Sequence, residues 1–290
     1  MATPARWSAD LLPDAVMITD ADGVIEYVNP AFEALTGRAR GEILGRTPAV
    51  LGGRMQAGFY RRLWRALRAG RSFRGVFANR RKNGGVFFEE EVIRPVLDAS
   101  GAVRHFVCSG RDVTRQVRDI DRFKHAATHD ALTDLPNRSL FLDRLTQAVR
   151  QAARRGESMA VAILDIDGFR DANNRYGHLA GDAVLQAIAR RTSGCVRKVD
   201  TVARIGGDEF AVVLGNVSRR AAQAVMGKIL RANALPVRYA RRSVPVSLSI
   251  GICMYPRGAR TETALRRRAD AAMYAAKRAG GNRCRFAPSV

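Results

Sequence analysis

The segment Gly206-Gly207-Asp208-Glu209-Phe210 decides the fold of the C-terminal half of this chain. The strand-like stretches 202–205 and 210–214 lie on either side of its turn and predict a β-hairpin whose turn carries the two carboxylates. The two glycines permit a positive φ and leave no side chain that could block a phosphate group. The segment therefore predicts a turn in which two carboxylates lie next to a backbone that a phosphate group can approach.

A second acidic pair follows a strand earlier in the chain. Asp165 and Asp167 come directly after the apolar run 159–164, where the chain must turn outward. If this strand lies beside the hairpin, both acidic pairs meet at one end of a sheet. Oxygen-rich clusters of this kind suit Mg²⁺ or Mn²⁺, the hard cations that hold triphosphates. We therefore expect a divalent-cation site at this end of the sheet.

The elements of the second half follow a β-α-β-β-α-β order that predicts a ferredoxin-like α/β (α+β) fold. A wide turn is expected at 130–138 and a loop after Asp167. Predicted helices cover 139–154, 181–194, 219–232 and 261–279, and predicted strands cover 159–164, 202–205, 210–214 and 246–253.

The motifs of this half, taken in order, resemble those of GGDEF-type diguanylate cyclases. They are Asp130–Arg138, Asp165–Arg170, Asn173–His178, Gly181-Asp182, Gly206–Phe210, Ser249–Gly251 and Ala269–Lys277. The resemblance implies a nucleotidyl-cyclase core that condenses two GTP into cyclic di-GMP and pyrophosphate. It also implies a homodimer in which each protomer presents one GTP to the other.

The resemblance further implies roles for individual residues. Asp165, the carbonyl of Ile166, Asp208 and Glu209 would hold Mg²⁺ or Mn²⁺, and Asp208 and Glu209 would form the catalytic pair, Glu209 as a further ligand or as the base. The residues that would bind GTP are Asn173 and Asp182 at the guanine edge, together with Phe169, Arg170, Gly206, Gly207 and Lys277.

Three positions depart from the family pattern. Arg170 stands where lysine is usual, Asn174 where aspartate is common, and Gly281 where arginine is typical. The missing guanidinium at 281 removes one charge-assisted phosphate contact, for which Arg278 or Arg283 could compensate. Arg197 and Asp200 reproduce the R-x-x-D pattern that marks the inhibitory product site in the family.

The first half predicts a five-stranded antiparallel sheet with helices and resembles a PAS domain. The residues that carry the resemblance include Ile18–Asp20, Asn29–Phe32, Glu42–Gly45, Arg81–Gly84 and Asp112–Thr114. We expect a PAS sensory domain at 8–115, a signalling linker helix at 116–129 and a GGDEF domain at 130–287. Val117, Ile120 and Phe123 share one helical stripe of the linker, a candidate dimer seam.

Leu63-Trp64, Asn79–Lys82 and Pro95–Leu97 resemble the FAD-binding PAS domains of redox sensors. That resemblance places Trp64 and Asn79 near a flavin, with Asn29 as a further cofactor-binding candidate. Two other hypotheses stay open, namely a PAS domain that binds nothing and only dimerises, and one that binds another ligand.

Composition and charge narrow the functional classes. The 290 residues carry a net charge of +22, yet most of the 49 basic residues are arginine, as a coding bias would produce. The central strands lack paired aromatics for base stacking, so we expect no nucleic acid partner. No apolar run is long enough for a membrane span, and the cysteine spacing fits a reducing cytoplasm. The leading hypothesis is a PAS-regulated diguanylate cyclase with product inhibition, and the alternative is a catalytically silent GGDEF effector that binds GTP or cyclic di-GMP.

Overall fold

A computed structural model describes residues 9–53, 55–240 and 242–288. Ser8, the first residue of the predicted PAS domain, lies outside the described residues. The chain divides into two compact units between Arg122 and Phe123. No helix among the described residues is both long and apolar enough to cross a membrane.

The N-terminal unit contains the predicted five-stranded antiparallel sheet. Its strands are β1 (Ala15–Asp20), β2 (Ile25–Val28), β3 (Phe73–Arg80), β4 (Val86–Leu97) and β5 (Val103–Asp112), in the order β2-β1-β5-β4-β3. Its helices are α1 (Pro30–Thr36), α2 (Arg40–Ile43), a 3₁₀ turn (Pro48–Leu51), α3 (Ala57–Arg68) and α4 (Thr114–Thr128), which runs on past the division between the units. The sequence had indicated neither α2 nor the 3₁₀ turn, because each is only four residues long.

Asn29 holds the first two strands and α1 together. Its side-chain oxygen accepts hydrogen bonds from the backbone N–H groups of Val16 and Phe32, each 2.9 Å long. Its amide nitrogen donates to the carbonyls of Ala9 at 3.0 Å and Asp14 at 2.9 Å. Asn29 is fully buried, so both ends of the side chain serve the fold.

The C-terminal unit is built around a second five-stranded sheet in the order β12-β11-β6-β8-β7. Its strands are β6 (Met159–Ile166), β7 (Thr201–Arg204), β8 (Glu209–Leu214), β11 (Leu248–Tyr255) and β12 (Arg283–Phe286), and β9 (Val237–Tyr239) and β10 (Arg242–Val244) form a separate hairpin. Its helices are α5 (Arg138–Arg155), α6 (Phe169–Tyr176), α7 (His178–Ser193), α8 (Arg219–Asn233) and α9 (Glu262–Arg278).

Every residue of β6 is buried, because helices cover both faces of the sheet. One apolar cluster joins β6 to α7 and α8, and the other joins it to α5 and α9. The loop expected after Asp167 is wrong, since residues 169–176 form α6. The sequence had also given no indication of β9, β10 or β12.

We expect Asn29→Ala to lower the free energy of unfolding of the N-terminal unit by about 2–4 kcal/mol, because it leaves the buried N–H of Val16 unpaired and removes the donor to the carbonyls of Ala9 and Asp14. Urea unfolding followed by tryptophan fluorescence measures this, since both tryptophans, Trp7 and Trp64, precede residue 65. Asn83→Ala, in an exposed turn with one side-chain hydrogen bond, is the matched control. Equal losses in the two variants would contradict the structural role of Asn29.

Candidate active site

The two acidic segments meet at one end of the C-terminal sheet. β6 and β8 pair in antiparallel register, and the last pair of that register sets Asp165 opposite Glu209. Asp165 is only 7% exposed, and Asp208 and Glu209 are half-buried. The structure therefore brings together the carboxylates that the sequence suggested would be neighbours.

Lys277, from the last turns of α9, supplies a positive charge to this cluster. Its ammonium lies 2.5 Å from Asp165 Oδ1. Burial raises the pKa of Asp165, and the nearby Asp208 and Glu209 raise it further, against the opposing effect of Lys277. Burial lowers the pKa of Lys277, but its contact with Asp165 and the neighbouring carboxylates outweigh burial and raise it. One lysine thus offsets only part of the local negative charge.

The donor set at this end of the sheet fits a hard divalent cation. Asp165, Asp208 and Glu209 offer carboxylate oxygens, and Ile166 adds a backbone carbonyl at the end of β6. In the part of the chain that the structure describes, no three Asp, Glu, His or Cys side chains converge into a complete site. Mg²⁺ commonly takes one or two protein carboxylates and completes its shell with water and substrate phosphates.

Arg204 fixes the turn of the hairpin. Its guanidinium donates to the Gly207 carbonyl at 2.7 and 3.1 Å, and also to Asp130 at 3.0 and 3.2 Å. Glu209 folds back over Gly206, where an added Cβ would lie 2.8 Å from Glu209 Oε2. Sequence reasoning missed Arg204 as a positioning residue because Asp130 is 74 positions away.

The predicted guanine-binding residues lie at the junction of α6 and α7. Asn173 packs against Gly181, where any Cβ would overlap the Asn173 amide, and Phe169 closes the same space. Asp182 follows Gly181 and is half-buried. The Asn173 Oδ1 atom is buried and accepts no hydrogen bond within the described structure. An unpaired buried acceptor beside a carboxylate suits a ligand that donates N–H groups.

The carboxylate of Asp167 has different hydrogen-bond partners from that of Asp165. Its carboxylate accepts hydrogen bonds from Ser247 Oγ at 2.7 Å, Ser249 Oγ at 2.6 Å and the Asn282 N–H at 2.9 Å. Gly281 has a φ of +66°, and a Cβ there would lie 2.8 Å from the Asp167 carboxylate. Glycine at 281 is therefore fitted to this turn.

The remaining predicted positions lie around these groups. Arg170 is exposed on α6, and Arg283 Nε donates to the Gly281 carbonyl at 2.9 Å. Arg197 Nε lies 3.3 Å from the Asp200 carboxylate, whose side chain is 2% exposed. That carboxylate also accepts from the backbone N–H groups of Arg197 at 3.0 Å and Gly215 at 3.3 Å.

The N-terminal unit contains a cavity of about 550 Å³ between its sheet and α3. Trp64 and Asn79 line this cavity, as the sequence-based hypothesis requires of cofactor-binding residues. Asn29 is not among its lining residues, and its polar atoms are already used within the fold.

Comparison with known proteins gives two family matches along the chain. A family model described as "Diguanylate cyclase, GGDEF domain" matches residues 127–283, just over half of the chain, and the PAS fold matches residues 8–113. These matches follow the same order as the two sheets.

The diguanylate cyclase TpbB of Pseudomonas aeruginosa (strain UCBPP-PA14) is 48% identical over 156 residues, which cover 53% of this chain and 36% of TpbB. The cyclic di-GMP phosphodiesterase PdeR of Escherichia coli K12 is 33% identical over 95% of this chain and 42% of PdeR. The chain thus spans about two fifths of these relatives.

Solved structures share the fold of the C-terminal unit. The GGDEF domain of TpbB from P. aeruginosa PAO1 has a TM-score of 0.54 at 45% identity, covering 55% of this chain and 94% of that domain. The coiled coil and GGDEF domain of DgcB from Caulobacter crescentus, solved with c-di-GMP, has a TM-score of 0.56 at 29% identity, covering 60% and 93%. The chain therefore belongs to the GGDEF family of diguanylate cyclase domains and carries a PAS fold ahead of that domain.

Proposed function

We propose that this chain is a cytoplasmic, homodimeric, PAS-regulated diguanylate cyclase that converts two GTP into cyclic di-GMP and pyrophosphate. The observation that carries the proposal is the cluster of the buried Asp165 with the half-buried Asp208 and Glu209, whose charge Lys277 neutralises only in part. We assign residues 8–115 to the sensory domain, 116–129 to the linker and 130–287 to the cyclase. Ile120 and Phe123, 51% and 74% exposed on α4, support a dimer seam along the linker.

In the proposed reaction the 3′-hydroxyl of each GTP attacks the α-phosphorus of the other, so two phosphodiester bonds form, and at each phosphorus the bond to the bridging oxygen breaks to release one pyrophosphate. Glu209 accepts the hydroxyl proton, while Gly206 and Gly207 leave the phosphates room beside the backbone. Mg²⁺ or Mn²⁺, held by Asp165, the Ile166 carbonyl, Asp208 and Glu209, would neutralise charge on the attacking and leaving oxygens. Arg170 and Lys277 contact the phosphates.

Guanine recognition follows from the unpaired Asn173 Oδ1 atom. That acceptor takes an N–H group of the base, and the neighbouring Asp182 carboxylate takes another. Phe169 packs beside them in the same space. The name of TpbB and the c-di-GMP bound to DgcB support a cyclic di-GMP product.

A catalytically silent effector that binds GTP or cyclic di-GMP is the second candidate. One observation favours it, namely that Gly281 lacks the guanidinium typical of the family. Arg283 is placed to replace that charge, because its guanidinium reaches the Gly281 carbonyl. Turnover of GTP separates the two candidates, since a silent effector would bind nucleotide without releasing pyrophosphate.

The N-terminal cavity supports a proposal for the sensory domain. We assign the isoalloxazine ring of FAD to it, between Trp64 and Asn79. The aromatic wall suits a planar ring system, since Trp64 and Phe106 meet edge to face with centroids 6.0 Å apart.

We expect Asp208→Ala to lower kcat/KM for GTP by about 100-fold or more, because it removes a carboxylate that would hold the catalytic cation. Liquid chromatography of product formed from GTP with Mg²⁺ or Mn²⁺ measures this. Asp171→Ala, which removes an exposed carboxylate on α6, is the matched control and should retain activity. Absence of product from the unaltered chain under oxidising and reducing conditions would exclude the cyclase.

We expect Arg197→Ala to leave the uninhibited rate intact and to raise the cyclic di-GMP concentration for half-inhibition about tenfold or more, since a charged hydrogen bond is worth about 1.5–3 kcal/mol. Arg197 is the better residue to change because the Asp200 carboxylate also holds backbone N–H groups. Lys198→Ala is the neighbouring control. An unchanged inhibition curve for Arg197→Ala would remove the proposed inhibitory site.

We expect Arg283→Ala to raise KM for GTP about tenfold with little change in kcat, because it removes the guanidinium nearest to Gly281. Arg285→Ala removes an exposed arginine two residues along the same strand and should leave KM unchanged. Initial rates over a range of GTP concentrations measure both variants. Equal KM values for both would show that Arg283 does not replace the missing arginine.

A further inference from the structure

The inner face of the N-terminal sheet carries two carboxyl groups at positions where apolar residues are expected. Inward positions of β4 alternate as Phe87, Glu89, Glu91 and Ile93, all of them buried. Glu89 is 3% exposed and Glu91 8%. Gly110 lies across from them on β5, and a Cβ there would overlap the Glu89 carboxyl group. The fold therefore leaves space for this pair.

The polar partners of the pair hold it in a defined arrangement. Asn79 Nδ2 donates to Glu89 Oε2 at 3.3 Å and to Glu91 Oε1 at 3.4 Å. Because one amide contacts both, the two carboxyl groups are neighbours in a buried space, where a proton held by the pair relieves their mutual repulsion. Burial raises the pKa of Glu89 to about 7. Burial, followed by the neighbouring Glu89, raises the pKa of Glu91 well above its usual range.

Of the two glutamates, Glu91 lines the cavity of about 550 Å³, and Asn79 lines it too. Aromatic side chains, including those of Trp64, Phe77 and Phe106, form part of its wall. The described lining contains no lysine or arginine that could receive an anion. Asn79 Oδ1 accepts no hydrogen bond from the described residues and lies near Gly53, another lining residue.

Resting on the flavin assignment above, we propose that Glu91, as a neutral carboxylic acid, donates a hydrogen bond to a ring carbonyl of a planar heterocycle in this cavity. Asn79 Oδ1 accepts from the adjacent ring N–H, so the site recognises a lactam or imide edge. Glu89 is a positioning residue: its own carboxyl proton is donated to Glu91, which leaves the proton of Glu91 for the ligand. These hydrogen bonds pair neutral donors with neutral acceptors. Binding of such an edge therefore buries no unpaired charge in the apolar cavity.

Ligand binding is linked to protonation because only the protonated carboxyl group of Glu91 can donate a hydrogen bond to the ring carbonyl. Asp22, Tyr60 and Cys108 also line the cavity, and Arg81 and Asp112 act on Glu89 from the end of the sheet. A ligand that binds the protonated pair raises its pKa further, so affinity falls as pH rises through the pKa of the free pair. Above that pKa, the affinity falls by up to tenfold per pH unit for each proton that the pair must keep in order to bind the ligand.

The test uses the full chain with oxidised FAD and with riboflavin, and flavin fluorescence titrations at pH 5.5, 6.5, 7.5 and 8.5. We expect affinity to fall at least tenfold across this range. Glu91→Gln keeps a donor and should bind with a much weaker dependence on pH, whereas Glu91→Ala should bind at least tenfold more weakly at pH 5.5. Glu90→Gln, whose side chain pairs with Arg74, is the matched control.

Each outcome bears on a separate statement. Flavin binding with the same affinity and pH dependence in the Glu91 variants and the unaltered chain would overturn this inference and leave the flavin assignment intact. Affinity that rises with pH would also overturn it, because an ionised pair would then be the binding form. Binding of neither flavin at any pH would overturn the inference and the flavin assignment together. Cyclase activity, measured on the same preparations, tests the proposed reaction independently.

Discussion

The antiparallel pairing of β6 with β8 is the constraint on which the C-terminal site depends. The register that packs Leu164 against Phe210 also sets Asp165 beside Glu209, at an end of the sheet where water is partly excluded. Carboxylates in that environment repel each other, and the single ammonium of Lys277 does not cancel them. A divalent cation would relieve this repulsion, so the register that stabilises the fold also brings together the residues of the proposed cation site.

The sequence predicted the elements that bury apolar surface, and it failed where local pattern carries no such signal. The strands β6 and β8 were evident from continuous apolar runs, whereas α6 is largely polar and follows a left-handed Gly168. β12 has four residues, and its parallel pairing with β11 depends on partners 34 positions earlier, such as Ser249 for Arg283. The hydrogen bonds of Arg204 to Asp130 and to the Gly207 carbonyl could not be predicted either, since no spacing rule joins Arg204 to a residue as distant in sequence as Asp130.

Gly281 shows why a departure from a family pattern needs its structural context. From sequence it is only a missing guanidinium, but in the fold its positive φ and its closeness to Asp167 make it part of a turn. The Asp167 carboxylate in turn accepts hydrogen bonds from two serine hydroxyls and from the backbone N–H of Asn282. The two aspartates after β6 thus have different tasks, since Asp165 faces Lys277 and Asp167 secures the chain between α9 and β12.

Both units keep acidic groups in places that cost stability. Glu89 and Glu91 interrupt the apolar face of β4 much as Asp165 ends the apolar run of β6. The two sites differ in the groups that contact their carboxyl groups. Lys277 places a positive charge beside Asp165, whereas the partner that bonds both Glu89 and Glu91 among the described residues is the neutral amide of Asn79. Without a cation next to them, burial raises the pKa of both glutamates. The proposed ligands of the two units therefore differ in charge because a cation lies next to the buried carboxyl group in one unit and an amide in the other.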